Sequence, residues 1–155
     1  MFRRHPILTV VTVAYLGLVG VLTLSPVPSY GRESIIWRMV KVFERFPETR
    51  WLDFPTVEFL ANVAMFVPLG LFLVLLLGRG RWWLAILFGF ALTLAIELVQ
   101  QVLPTRVSDP RDLMANSIGA TLGVLVALVM TAAKARRLKA QRVRQRTPAP
   151  LVPTR

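Results

Sequence analysis

Four stretches of the chain, at about 7–24, 57–77, 82–102 and 113–133, are apolar almost without interruption. Each is close to the roughly 20 residues that a helix needs to cross the hydrocarbon layer of a bilayer. Only the third run carries an ionisable group deep in its sequence, Glu97, followed by Gln100 and Gln101. In hydrocarbon every backbone N–H and C=O must find its partner within the protein, and a helix meets that demand inside one segment. The pattern therefore predicts an all-α integral membrane bundle of four transmembrane helices. Residues 1–133 form one domain, and 134–155 follow as a basic tail, largely disordered and cytoplasmic.

The connection between the first two runs has a different period. Ile35, Ile36, Met39, Val40, Phe43 and Phe46 recur at helical spacing, with Arg38, Lys41, Glu44 and Arg45 on the other side. This predicts an amphipathic helix in the first outer loop, lying at the membrane interface. It either packs over the ends of the bundle or acts as a lid above a polar site. Trp37 and Trp51 toward one face, with Trp82 and Trp83 toward the other, suit interfacial anchoring. Pro68 removes a backbone donor inside the second run and Gly70 permits close approach, so a kink is expected there. The sequence Gly78-Arg79-Gly80-Arg81 makes a tight turn.

Composition agrees with a membrane solvent: 55% of the residues are hydrophobic and the mean hydropathy is +0.59. The net charge of +11 lies mostly outside the apolar runs, with no nucleic-acid recognition motif beside it. It reads as topology instead. With Met1 cytoplasmic, twelve of the nineteen basic residues fall inside (Arg3, Arg4, Arg79, Arg81 and those from Lys134 onward). The outer side holds Arg32, Arg38, Lys41, Arg45, Arg50, Arg106 and Arg111. The positive-inside rule then puts both termini in the cytoplasm of a multi-pass plasma (inner) membrane protein. The first run follows Arg3 and Arg4 as a signal peptide would, but it ends at Ser25-Pro26 without a small-residue cleavage site and is expected to stay as a helix. With no cysteine and one histidine, His5 in the basic leader, disulfides and thiolate or zinc centres are excluded, and neither a metal nor a cofactor is expected.

Polar groups within a bilayer are costly and mark function or packing. Glu58 and Asn62 share a face at the outer end of the second helix, four residues apart. Glu97, Gln100 and Gln101 stand near the outer end of the third. Asp112 and Asn116 open the fourth, after a connection that supplies Arg106, Asp109 and Arg111. These groups gather near one membrane face and predict a polar pocket open to the outer leaflet. Gly119 and Gly123, also four apart, allow another helix to approach the fourth closely.

Glu97-Leu98-Val99-Gln100, followed by Pro104, Arg106, Asp109, Asp112, Asn116, Gly119 and Gly123, resembles the signature of the VanZ-like family. The stretch from Asn62 through Pro68 to Gly70 is similar to that family's second-helix motif, and Leu22-Thr23-Leu24-Ser25-Pro26 to its first-helix ending. The likeness covers about 22–125. It implies a small membrane protein of the bacterial cell envelope, in a family named for members linked to resistance against glycopeptide antibiotics. It marks Asn62, Glu97, Gln100, Arg106, Asp109, Asp112 and Asn116 as the polar set of this chain. Glu58 and Gln101 rest on spacing alone.

Three functions follow as alternatives. In the first, the pocket binds the head group of an amphipathic, lipid-like or glycopeptide-like molecule, with Arg106 supplying the two parallel donors that suit phosphate or carboxylate. In the second, the protein is a membrane enzyme acting on a lipid or cell-wall precursor, with Glu97 as acid or base, Arg106 facing a developing oxyanion and two further carboxylates able to hold Mg2+ or Ca2+. No nucleophile motif accompanies these residues, which weighs against catalysis. In the third, the polar groups only satisfy one another and lock the bundle. Membrane lipids are the expected partners, and an oligomer is left open.

Overall fold

The computed structural model describes residues 6–24, 29–103 and 109–146. They form five helices, α1 (Pro6–Leu24), α2 (Ser29–Phe43), α3 (Phe54–Leu77), α4 (Trp82–Val102) and α5 (Pro110–Arg146), with short 3-10 turns at Pro47–Thr49 and Arg79–Arg81. No strand occurs among the described residues. Four segments are long and apolar enough to cross a membrane: Pro6–Leu24, Phe54–Leu77, Arg79–Val102 and Pro110–Ala132. The outside of the bundle is as apolar as its core. Ile7, Val10, Val13, Phe90, Leu98, Val129 and Met130 are all exposed. Water would not tolerate such a surface, but lipid chains do.

Local chemistry sets the helix starts more sharply than hydropathy does. Asp53 caps α3 by accepting the N–H of Thr56 at 3.1 Å, and Pro55 in the first turn sacrifices no needed donor. Asp109 performs the same service for α5, accepting the N–H of Arg111 at 2.9 Å ahead of Pro110. Both helices therefore begin about three residues before the apolar runs do. At the other end of α3 the chain turns at Gly78, whose φ of 83° favours glycine and whose N–H returns to the Val74 carbonyl at 2.8 Å. Arg79 in the following turn donates to the Leu128 carbonyl at 3.1 Å, tying this turn to α5.

The closest packing joins α3 and α5. A Cβ placed on Gly119 or Gly123 would fall onto the carbonyl oxygens of Val63 and Val67, and one on Gly70 onto that of Ala120. Glycine is thus required at all three positions by backbone-to-backbone approach. α4 completes the core, its Gly89 facing the Ala120 methyl, around Phe66, Leu69, Val74, Ala85, Ile96 and Val124. α3 stays helical through Pro68, which deprives the Ala64 carbonyl of its donor. α1 leans on α3 and α4 through Val19 and through Tyr15, whose ring meets Phe72 edge-on with centroids 5.7 Å apart.

The connection between the first two transmembrane helices contains a helix, α2. α2 lies against α3, with Val40 buried and Trp37 stacked obliquely on Phe54 at 5.1 Å. Part of its apolar side remains open at Met39 and Val42, as does Phe46 just beyond its end. The fourth membrane-spanning segment ends at Ala132, near the expected 133, but α5 itself remains helical to Arg146, within the stretch expected to be largely disordered. Ala, Leu, Lys, Arg and Gln dominate residues 134–146, and all are strong helix formers.

Candidate functional site

Four side-chain hydrogen bonds join the transmembrane helices in a ring. Asn62 on α3 donates to Asp112 Oδ1 on α5 at 2.5 Å. Asn116, one turn deeper on α5, donates to Thr93 Oγ1 on α4 at 2.9 Å. Gln100 on α4 donates to the Thr23 carbonyl of α1 at 3.0 Å. Tyr15 on α1 donates to the Met65 carbonyl of α3 at 2.7 Å, closing the circuit. One of these acceptors has a local cause: Thr23 is next to last in α1, so its carbonyl has no helical donor.

From this ring a polar layer extends toward the start of α3, the end of α4 and the start of α5. Glu97, Gln100, Asn116 and Thr93 are buried and form its floor. Asn62 and Asp112 are half-buried above them, while Glu58 and Asp109 stand exposed at the rim. The charges of Glu58, Asp109 and Glu97 are all near enough to act on Asp112. Two atoms on the floor meet no partner: Gln100 Oε1 and Asn116 Oδ1. A third, Ser117 Oγ, is likewise unpaired on the neighbouring side of α5. A buried polar atom without a partner costs on the order of 1–3 kcal/mol, so such atoms point to a place where something else can bind.

The expected site residues divide accordingly. Asn62, Glu97, Gln100, Asp112 and Asn116 fall in this layer, whereas Asp109 sits at its edge and acts as a helix cap. Gln101 is exposed on the outer side of α4. Arg106 lies outside the described residues. Among those residues, no three His, Cys, Asp or Glu side chains converge closely enough to hold a metal ion. The residues that the sequence did not single out are Thr93, Thr23 and Tyr15. Thr93 lies four residues before Glu97, within an otherwise apolar face, which is a legible signal. The Thr23 contribution is a backbone carbonyl and leaves no such trace.

Fold and polar layer together define a small multi-pass membrane protein whose helices are joined by intramembrane hydrogen bonds. The chain belongs to the VanZ/LLP1 family, whose model matches residues 12–131, from within α1 almost to the end of the last transmembrane segment. Comparison with curated proteins and with solved structures gives no match.

Proposed function

We propose that the protein sits in the plasma membrane of a bacterial cell envelope with both termini in the cytoplasm, and that its outer polar layer binds the head group of an amphipathic molecule. The observation that carries this reading is the pair of buried, unpartnered oxygens on Gln100 and Asn116, in the same polar layer as Asn62 and Asp112. Basic residues concentrated in the Arg79–Arg81 turn and beyond residue 134 supply the orientation. α2, with its exposed Trp37, Met39 and Val42, rests in the outer interface beside the entrance. A link to antibiotic resistance follows if the bound molecule is a glycopeptide or a lipid that such a drug engages.

Native mass spectrometry of the purified protein tests the reading directly. Bound lipid-like mass is expected on the wild type and is expected to fall on Arg106→Ala while the fold persists. Identical ligand content in the two proteins would refute the assignment of Arg106 to the pocket.

The structural alternative draws on a separate observation, the closed ring of four interhelical hydrogen bonds. In that reading the polar set locks the bundle and an unseen partner carries the function. It predicts that Arg106→Ala and Glu97→Gln both lose their fold in detergent, whereas the binding reading predicts folded proteins with an altered phenotype.

A further inference from the structure

The end of the bundle away from the polar layer carries charge of one sign. No Asp or Glu occurs between Glu58 and Glu97 or after Asp112, so the only charged side chains in the α3–α4 turn and the continuation of α5 are Arg and Lys. Arg79 Nη1 donates to the Leu128 carbonyl at 3.1 Å and to Thr131 Oγ1 at 3.4 Å. Both partners are neutral, so this contact positions the guanidinium without balancing its charge.

The same contact carries a membrane depth from one helix to another. Trp82 and Trp83, exposed just after Arg81, suit the head-group level of a bilayer. Because Arg79 reaches Leu128 and Thr131, that level on α5 falls near Ala132, where the membrane-spanning segment ends. α5 then stays helical to Arg146 with no Gly or Pro to bend it. At the helical rise per residue, Lys134, Arg136 and Arg137 stand about 3–8 Å beyond Ala132 along the axis, and Arg142, Arg144 and Arg146 about 15–21 Å beyond. A tilt of about 20° shortens these heights by less than about a tenth. The head-group layer is about 5–7 Å deep, and the attraction of an anionic leaflet fades over about 8–10 Å. The first three basic residues are therefore within its reach, and the last three are beyond it.

We propose that Arg79, together with Lys134, Arg136 and Arg137, binds the phosphates of anionic phospholipids in the leaflet at this end of the bundle. Arg136 is exposed, as is Arg79, and a guanidinium offers phosphate two parallel N–H donors. The lipid supplies the negative charge that no side chain provides here. This site is separate from the polar layer and does not rest on the reading given for it.

The test compares two triple variants that remove equal charge, Lys134→Gln/Arg136→Gln/Arg137→Gln and Arg142→Gln/Arg144→Gln/Arg146→Gln. Glutamine keeps the helix propensity of the residues it replaces. Each full chain is placed in nanodiscs with equal amounts of phosphatidylglycerol and phosphatidylcholine of identical acyl chains, and retained lipid is read by native mass spectrometry after release. The wild type should retain phosphatidylglycerol about tenfold over phosphatidylcholine, the equivalent of about 1.4 kcal/mol. The first triple should bring the preference to within about twofold of parity, and the second should leave it near the wild-type value. Arg79→Gln should lower it in part; circular dichroism confirms folding, and the triples decide the matter if this variant does not fold. Unchanged preference in the first triple overturns the site. Equal losses in both triples overturn it in favour of net charge alone, and loss in the second triple only overturns it in favour of a soluble polyanion. A wild type without preference for phosphatidylglycerol overturns it outright.

Discussion

Gln100 gives its side-chain N–H to the Thr23 carbonyl at 3.0 Å while its own oxygen, equally buried, meets no partner. One half of the amide closes the end of α1, and the other half stays open. The two halves have opposite effects on stability. The bond to Thr23 contributes on the order of 0.5–1.5 kcal/mol, and the orphaned oxygen costs a comparable amount. Gln100→Leu removes both but also leaves the Thr23 carbonyl without a donor, so the stability in a defined detergent should fall by about 1–2 kcal/mol. Added ligand should stabilise the wild type alone, since only the wild type offers the oxygen. A large destabilisation of the ligand-free variant would show that the residue serves packing above all.

The α3–α5 interface gives a sharper contrast. Gly119→Ala and Gly123→Ala each drive a methyl onto a backbone carbonyl of α3, which cannot rotate away, and should cost about 1–3 kcal/mol by forcing the helices apart. Gly17 and Gly20 on α1 have nothing within 4 Å of an added Cβ. Alanine there should be neutral or stabilise by up to about 1 kcal/mol through helix propensity. Thermal melts of the four single variants separate the two classes, and equal losses in both would contradict this packing.

Asn62 and Asp112 lie fifty residues apart in sequence and meet across that interface. A double-mutant cycle with Asn62→Ala and Asp112→Ala should return a coupling of about 1 kcal/mol, within the range found for hydrogen bonds between membrane helices. Additive losses would mean that the two residues stabilise the bundle independently.

The apolar runs revealed the membrane-spanning helices because a bilayer imposes a length and a polarity on each segment. Hydropathy is silent about backbone ends. α3 and α5 start earlier than their apolar runs because Asp53 and Asp109 recruit backbone N–H groups. α5 outlasts its run because Lys and Arg leave the hydrocarbon yet still favour helix. The polar set from Asn62 to Asn116 was legible through its spacing and its resemblance to a family signature. Its pairing was not, because Asn116 chose Thr93 and Gln100 chose a backbone carbonyl, and an amide carries no sequence mark of its partner. Asp109 shows a role that spacing did not announce, since in the fold its carboxylate caps α5.

Asp53 links that capping to pH. Hydrogen bonds from the Thr56 side chain and backbone N–H hold its carboxyl below the ordinary value of 3.8. A lowered folded-state value means that the contribution to stability is complete above 3.8 and is lost as pH falls through the lower folded value. Asp53→Asn keeps a cap but cannot titrate, so its melting temperature should fall less steeply than that of the wild type when the pH is taken below about 4. Parallel acid profiles of the two proteins would refute the role of Asp53 as the titrating cap.

Orientation can be read from both sides of the membrane because the chain has no cysteine to interfere. Glu48 is exposed in the Pro47–Thr49 turn, at the end of the bundle that holds the polar layer, and Gly80 is exposed in the Arg79–Arg81 turn at the opposite end. Arg79 and Arg81 flank Gly80, and basic residues close to a transmembrane helix favour retention on the cytoplasmic side. The connection between α1 and α3 also carries Arg32, Arg38, Lys41, Arg45 and Arg50, so the charge difference between the two sides is modest. A membrane-impermeant maleimide should label Glu48→Cys in intact cells and Gly80→Cys only after lysis. The reverse pattern would turn the bundle over and open the layer around Glu97, Gln100 and Asn116 to the cytoplasm, where a head group would have to arrive from the inner leaflet.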